Sequence, residues 1–133
     1  MPENLYPPHT ARTARRRRSL APKTDAAFAE LSERVFAEGA LPAKTKELIA
    51  IAVAHVTQCP YCIRSHTRRA LRRGATAEEI MESIWIAAEM RAGAAVAHAA
   101  IAIDAMESEV LPRNGNTATN AVQGAAPELR PRT

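Results

Sequence analysis

PAKTKELIAIAVAHVTQCPYCIRSHTRRALRRGA, residues 42–75, holds two helical patterns that meet at Gln58, and their reading decides the fold. Pro42 is a favoured first helical residue, because the N–H it lacks is one that a helix start leaves unpaired anyway. Behind it, Leu48, Ile49, Ile51, Ala52, Val53 and Val56 make an apolar run that only Lys44, Lys46, Glu47 and His55 interrupt strongly. This segment is expected to be the central, most buried helix. The next pattern opens at Cys59-Pro60, again with proline in the first helical position, and stops at Gly74.

Outward from this pair the same periodicity recurs. From Thr24 to Glu38, Ala27, Phe28, Leu31, Val35 and Phe36 fall at helical spacing, and Gly39 is expected to close the helix. Thr76 and Glu79 match a capping box and open a helix whose apolar face is Ile80, Met81, Ile84, Trp85, Ala87 and Ala88. Gly93 is expected to separate it from a fifth helix through Val96, Ala100, Ile103 and Met106. No strand pattern competes and no repeat is evident. The fold class is therefore all-α, a compact bundle of about five helices over residues 21–110.

Flanking it, residues 1–20 and 111–133 carry prolines and polar residues without apolar periodicity, and are expected to be disordered tails. Aromatics are 4% of the 133 residues, while 47% are apolar and alanine dominates. Small side chains suit helix packing but bury little area each, so self-association is expected to complete the core.

Charge is unevenly placed. Residues 1–20 hold five arginines against one glutamate, a net of +4, while the rest carries thirteen bases and thirteen acids. The basicity belongs to the arm, and with no aromatic platform a nucleic-acid-binding role is not expected. Arg15–Arg18 is followed by a charged stretch where a twin-arginine signal would need an apolar run. No membrane span is expected, so the protein reads as cytoplasmic. In that reducing compartment, two cysteines favour catalysis or metal binding over a structural staple.

Cys59, Cys62 and His66 are spaced three and four apart, which stacks them on one helical face. Cys59 falls at the helix start, where unpaired N–H groups favour a thiolate. His66 lies one turn beyond Cys62 and can take its proton directly or through water. A second cysteine three residues away can close a disulfide after the first sulfur is oxidised. Glu47, on the preceding helix, lies about 16 Å before Gln58 along one arm of a hairpin, and His66 about 9 Å beyond Pro60 along the other, at 1.5 Å per residue. A glutamate's reach covers much of that difference, and a carboxylate there would hold the tautomer of His66. A zinc site is the competing reading, with His66 the obvious third ligand and a fourth lacking.

The full pattern is Glu47, eleven residues, Cys59-Pro60-Tyr61-Cys62, three residues, His66. Flanked by Lys46-Glu47-Leu48-Ile49 before and by Ala70, Gly74-Ala75-Thr76 and Glu79-Ile80 after, it resembles the core motif of the alkylhydroperoxidase D-like (AhpD-like) branch of the carboxymuconolactone decarboxylase family. The resemblance spans residues 40–100. It implies a helical fold assembling as trimers or hexamers, and peroxidase activity without cofactor or metal. It further implies Cys62 as the thiol that attacks a hydroperoxide, Cys59 as the resolving thiol, His66 as base and Glu47 as its orienting partner. The implied reductant is a lipoyl-bearing or thioredoxin-like protein. One position departs: those members carry a histidine where this chain has Tyr61, and a phenol can donate a hydrogen bond but is no base near neutral pH. A disulfide reductase or redox-responsive regulatory protein is therefore the alternative. The decarboxylase branch lacks the cysteine pair, so decarboxylation is not expected.

Around this motif, His55 and His98 sit in alanine-rich runs and are expected to be core histidines bonded to backbone carbonyls, with His55 also a candidate pocket residue. Met81 and Trp85 are expected to pack in the core. Arg64, Arg68 and Arg72, with Arg69 and Arg73 beside them, read as a solvated face, or as a positive rim that would favour an acidic substrate or partner.

Overall fold

The computed structural model describes residues 6–110. These form α1 (Ala11–Leu20), α2 (Pro22–Phe36), α3 (Ala43–Thr57), α4 (Pro60–Arg72) and α5 (Ala77–Val110), with no strand among the described residues. The all-α class read from the sequence is thus the observed one. The chain divides into two compact units, Met1–His98 and Ala99–Thr133. In the first, α3 packs chiefly on α4, α2 on α3, and α1 on α2. The described part of the second is the last stretch of α5, where Ile101, Ile103, Met106 and Val110 are exposed.

The α3–α4 hairpin is made by three residues. Gln58 takes a left-handed conformation at φ 55°, and the Cys59 N–H is donated to the Ala54 carbonyl at 3.1 Å, which stops α3. Cys59 is then extended and serves as the N-cap of α4, with Pro60 in the first turn. Gly74, at φ 82°, ends the following turn in a region that only glycine adopts without strain. The Thr76–Glu79 capping box forms as read: the Glu79 N–H donates to Thr76 Oγ1 at 3.1 Å and the Thr76 N–H to Glu79 Oε2 at 2.9 Å.

As expected, α3 is the helix with the most buried residues: Ala43, Glu47, Ile51 and Ala54. Ile51, Ala70, Ala75 and Ile80 form the apolar centre, with Leu48 and Ile84 packed against it. That core is small. Five of its seven fully buried apolar residues are alanines, so each contributes far less than the ~1.5–3 kcal/mol of a buried Val, Leu or Ile.

Several expectations are corrected. Residues 11–20, read as part of a disordered arm, form α1, because Thr10 and Thr13 cap its start reciprocally and Arg17 Nε pairs with Asp25 at 2.7 Å on α2. Its stability comes from caps, a charge pair and contact with α2, none of which appears as apolar periodicity. Residues 111–133, the other expected tail, lie outside the described residues. Gly39 does not close α2. The helix ends at Phe36 with Ala37 extended, and Lys46 Nζ donates to the Ala37 carbonyl at 2.7 Å instead. Gly93 does not divide α5, since one glycine costs only ~1 kcal/mol in a helix whose other residues are strong helix formers. Joined, α5 contains an 18-residue window of mean hydropathy 1.3, long and apolar enough to cross a membrane by length and composition, where the sequence reading expected no such stretch. Met81 and Trp85, expected in the core, are 51% and 68% exposed, and His98 is exposed too.

Candidate active site

Two side-chain pairs lie where α3 and α4 face each other, Cys59 with Cys62 and Glu47 with His66, and Cys62 and His66 line the same cavities. The Cys59 and Cys62 sulfurs are 2.9 Å apart, within hydrogen-bonding distance, and both thiols are free and partly buried. The Cys62 N–H donates to Cys59 Sγ at 3.4 Å, as an N-cap donor does to a side-chain acceptor. The Cys59 thiol is accordingly held below the ordinary cysteine range, first by the hydrogen bond from the Cys62 thiol, then by the Cys62 backbone N–H. The same sulfur–sulfur bond raises Cys62, with burial and the Cys59 charge adding to it. The two thiols titrate as a pair, and the donors around Cys59 favour the thiolate there.

Glu47 closes the arrangement. Its carboxylate is 1% exposed and accepts from His66 Nδ1 at 2.7 Å, so the mismatch of levels along the two helices is taken up by the glutamate side chain. The other Glu47 oxygen faces Arg73 Nε at 3.5 Å. With Nδ1 committed to the carboxylate, Nε2 is the ring nitrogen left to accept a proton. Phe36 of α2 stacks on the His66 ring, centroids 5.0 Å apart, and fixes its plane. Neither Arg73 nor Phe36 was singled out for this site from the sequence: Arg73 read as one of an arginine row, and Phe36 carried only a helical core position. Among the described residues no group of three or more His, Cys, Asp or Glu side chains is placed to hold a metal ion.

Cys62 and His66 both line two cavities. One, of about 490 Å³, is apolar, walled by Val35, Phe36, Leu41, Ile49 and Val53. The other, of about 740 Å³, is rich in arginine and includes Tyr61. The Tyr61 hydroxyl donates to the Pro7 carbonyl at 2.7 Å, and Tyr6 and His9 pack edge-on against its ring. The substituted position therefore anchors the chain before α1. His55 lines neither cavity; it is half-buried, and its Nδ1 makes the expected bond to a backbone carbonyl, that of Ile51, at 2.8 Å.

A helical hairpin that carries a dithiol at the start of one arm and a buried glutamate–histidine pair between its arms defines a class of cysteine-bearing helical protein. The family model for the carboxymuconolactone decarboxylase family matches residues 22–105, and the chain belongs to that family, in its alkylhydroperoxidase D-like form. An uncharacterized protein of the cox locus of Paracoccus denitrificans is 68% identical over 75 residues, which are 56% of this chain and 68% of that one. A family member from Legionella pneumophila has a similar structure, with TM-score 0.58 and 36% identity over 72% of this chain and 86% of that chain. A Thermotoga maritima member, for which a part in the antioxidative response has been suggested, has TM-score 0.50 and 32% identity over 65% of this chain and 90% of its own.

Proposed function

We propose that this protein is a thiol peroxidase that reduces hydroperoxides by cycling Cys59 and Cys62 between dithiol and disulfide. The observation that carries this reading is the 2.9 Å sulfur pair beside the Glu47–His66 bond. Cys62 is the attacking sulfur, since it borders both cavities with His66 while Cys59 borders neither. As Cys62 attacks, its proton passes to the adjacent Cys59 thiolate or to His66 Nε2. The Cys62 thiolate displaces alkoxide from ROOH, giving Cys62 sulfenic acid, and the alkoxide takes a proton to leave as ROH. Cys59 then attacks the sulfenic sulfur, expelling water and closing the disulfide. Two thiols and ROOH thus become a disulfide, ROH and water, and an external thiol restores the pair. As Cys59 leaves, the Cys62 N–H that donates to its sulfur stabilises the departing thiolate.

The test is a thiol titration before and after one equivalent of tert-butyl hydroperoxide. Rapid loss of two thiols per chain is expected. Thiols that persist under peroxide but oxidise with a disulfide donor would replace the peroxidase reading with that of a disulfide reductase.

The same reading includes a cytoplasmic homo-oligomer. Trp85, Ile86 and Met90 on α5 stand exposed over an alanine core, and covering each would contribute a large part of the ~1.5–3 kcal/mol of a fully buried apolar side chain. A second copy supplies that cover. Sedimentation is expected to give a trimer or hexamer, and Trp85→Glu to shift it to smaller species. A wild-type monomer at micromolar concentration would rule the assembly out.

A further inference from the structure

We infer that the arginine-lined cavity beside Cys62 is a binding site for the reductant, and that this reductant is a small thiol bearing two or more carboxylates. The inference rests on the dithiol cycle proposed above and adds what regenerates it.

α4 carries Arg64, Arg68, Arg69 and Arg72, and all four line the cavity that also holds Cys62 and His66. Among the described residues none of the four makes a salt bridge, whereas Arg17 on the same wall is paired with Asp25 and Arg73 with Glu47. No acidic residue occurs in α4. Arg64, Arg68 and Arg72 stand four apart, a like-charge spacing that costs a helix ~0.2–0.5 kcal/mol per pair. Arg69 and Arg72 gain from the helix C-terminus, whereas Arg64 and Arg68 stand in its middle turns, where the dipole contributes little. An anion held in the cavity would supply the partner that the protein itself does not give these guanidinium groups.

The cavity volume of about 740 Å³ falls in the small-molecule range. Guanidinium groups pair with carboxylates through two parallel hydrogen bonds, so a dicarboxylate uses several of these arginines at once. What the anion must do follows from the other wall. Cys62 faces an apolar cavity on one side and this one on the other. An organic hydroperoxide suits the first, and a charged reductant the second. The thiolate of the bound ligand attacks Cys62 Sγ of the disulfide, and Cys59 leaves as a thiolate. A second ligand thiolate then attacks the ligand sulfur of the mixed disulfide and releases Cys62 as a thiolate. The protein gains two electrons, and two ligand thiols become one ligand disulfide.

The test oxidises the full chain with diamide, which requires no hydroperoxide, and follows thiol recovery with mercaptosuccinate, 2-mercaptoethanol and cysteamine, dianionic, neutral and cationic respectively. After correction for thiolate fraction, wild type is expected to prefer mercaptosuccinate over 2-mercaptoethanol, and to disfavour cysteamine. Arg68→Gln with Arg72→Gln is expected to lower the mercaptosuccinate to 2-mercaptoethanol ratio about tenfold, with raised ionic strength acting in the same direction. A ratio unchanged by the substitutions would overturn the inference while leaving the peroxidase reading intact. Failure of diamide to close the disulfide would overturn both.

Discussion

Cys62→Ser will lower hydroperoxide turnover to that of a sample without enzyme, while Cys59→Ser will consume one equivalent of peroxide and stop. The asymmetry follows from the site. Only Cys62 borders the cavities, and a hydroxyl in its place is neither ionised nor oxidisable there. Without Cys59, the sulfenic acid forms but has no partner 2.9 Å away to close on. The pair also sets the pH dependence. Because Cys59 is held below the ordinary cysteine range, a reactive thiolate persists as pH falls through that range and is lost only below it. Iodoacetamide modification will therefore keep its rate to lower pH than an ordinary thiol allows. Cys62→Ala removes the largest stabiliser of the Cys59 anion, so its midpoint will move upward. Equal turnover by both serine variants would refute the division of roles, and an unmoved midpoint would refute the cause given for the pKa.

Glu47 carries the second large effect, and two substitutions separate its parts. Glu47→Gln keeps the shape and can still accept from His66 Nδ1, but it removes the negative charge that balances a protonated ring. The rate of thiol oxidation by peroxide is expected to fall roughly 10²-fold, the lower end of what a positioned base supplies. Glu47→Ala also empties a fully buried position and strands His66 and Arg73. Removing one partner of a buried charge pair costs ~3–5 kcal/mol, and the lower end applies because His66 and Arg73 are partly exposed and can hydrate. Urea unfolding measured on both variants distinguishes the two losses. A glutamine variant with wild-type oxidation rate would leave Glu47 a structural residue only.

Part of the first unit was legible in the sequence, as were Glu47, Cys59, Cys62 and His66 as candidate site residues. Periodicity, proline starts and the Thr76–Glu79 box place α2, α3, α4 and the start of α5, because these signals act within a turn or two of the residues that carry them. Cys59, Cys62 and His66 were legible for the same reason, since one helix sets their spacing. Tertiary structure alone decided what depends on contacts distant in sequence. Glu47 reaches His66 only because α3 folds back on α4 at Gln58, and Phe36 fixes that ring only because α2 packs beside them. α1 exists through a cap and an ion pair to α2, although its composition reads as a solvated arm. Trp85 and Met81 have core spacing yet face outward, because periodicity reports which residues share a face and not what covers it. The arginine row of α4 reads from sequence as a solvated face or a positive rim, and in the fold Arg64, Arg68 and Arg72 are exposed and line the cavity beside Cys62.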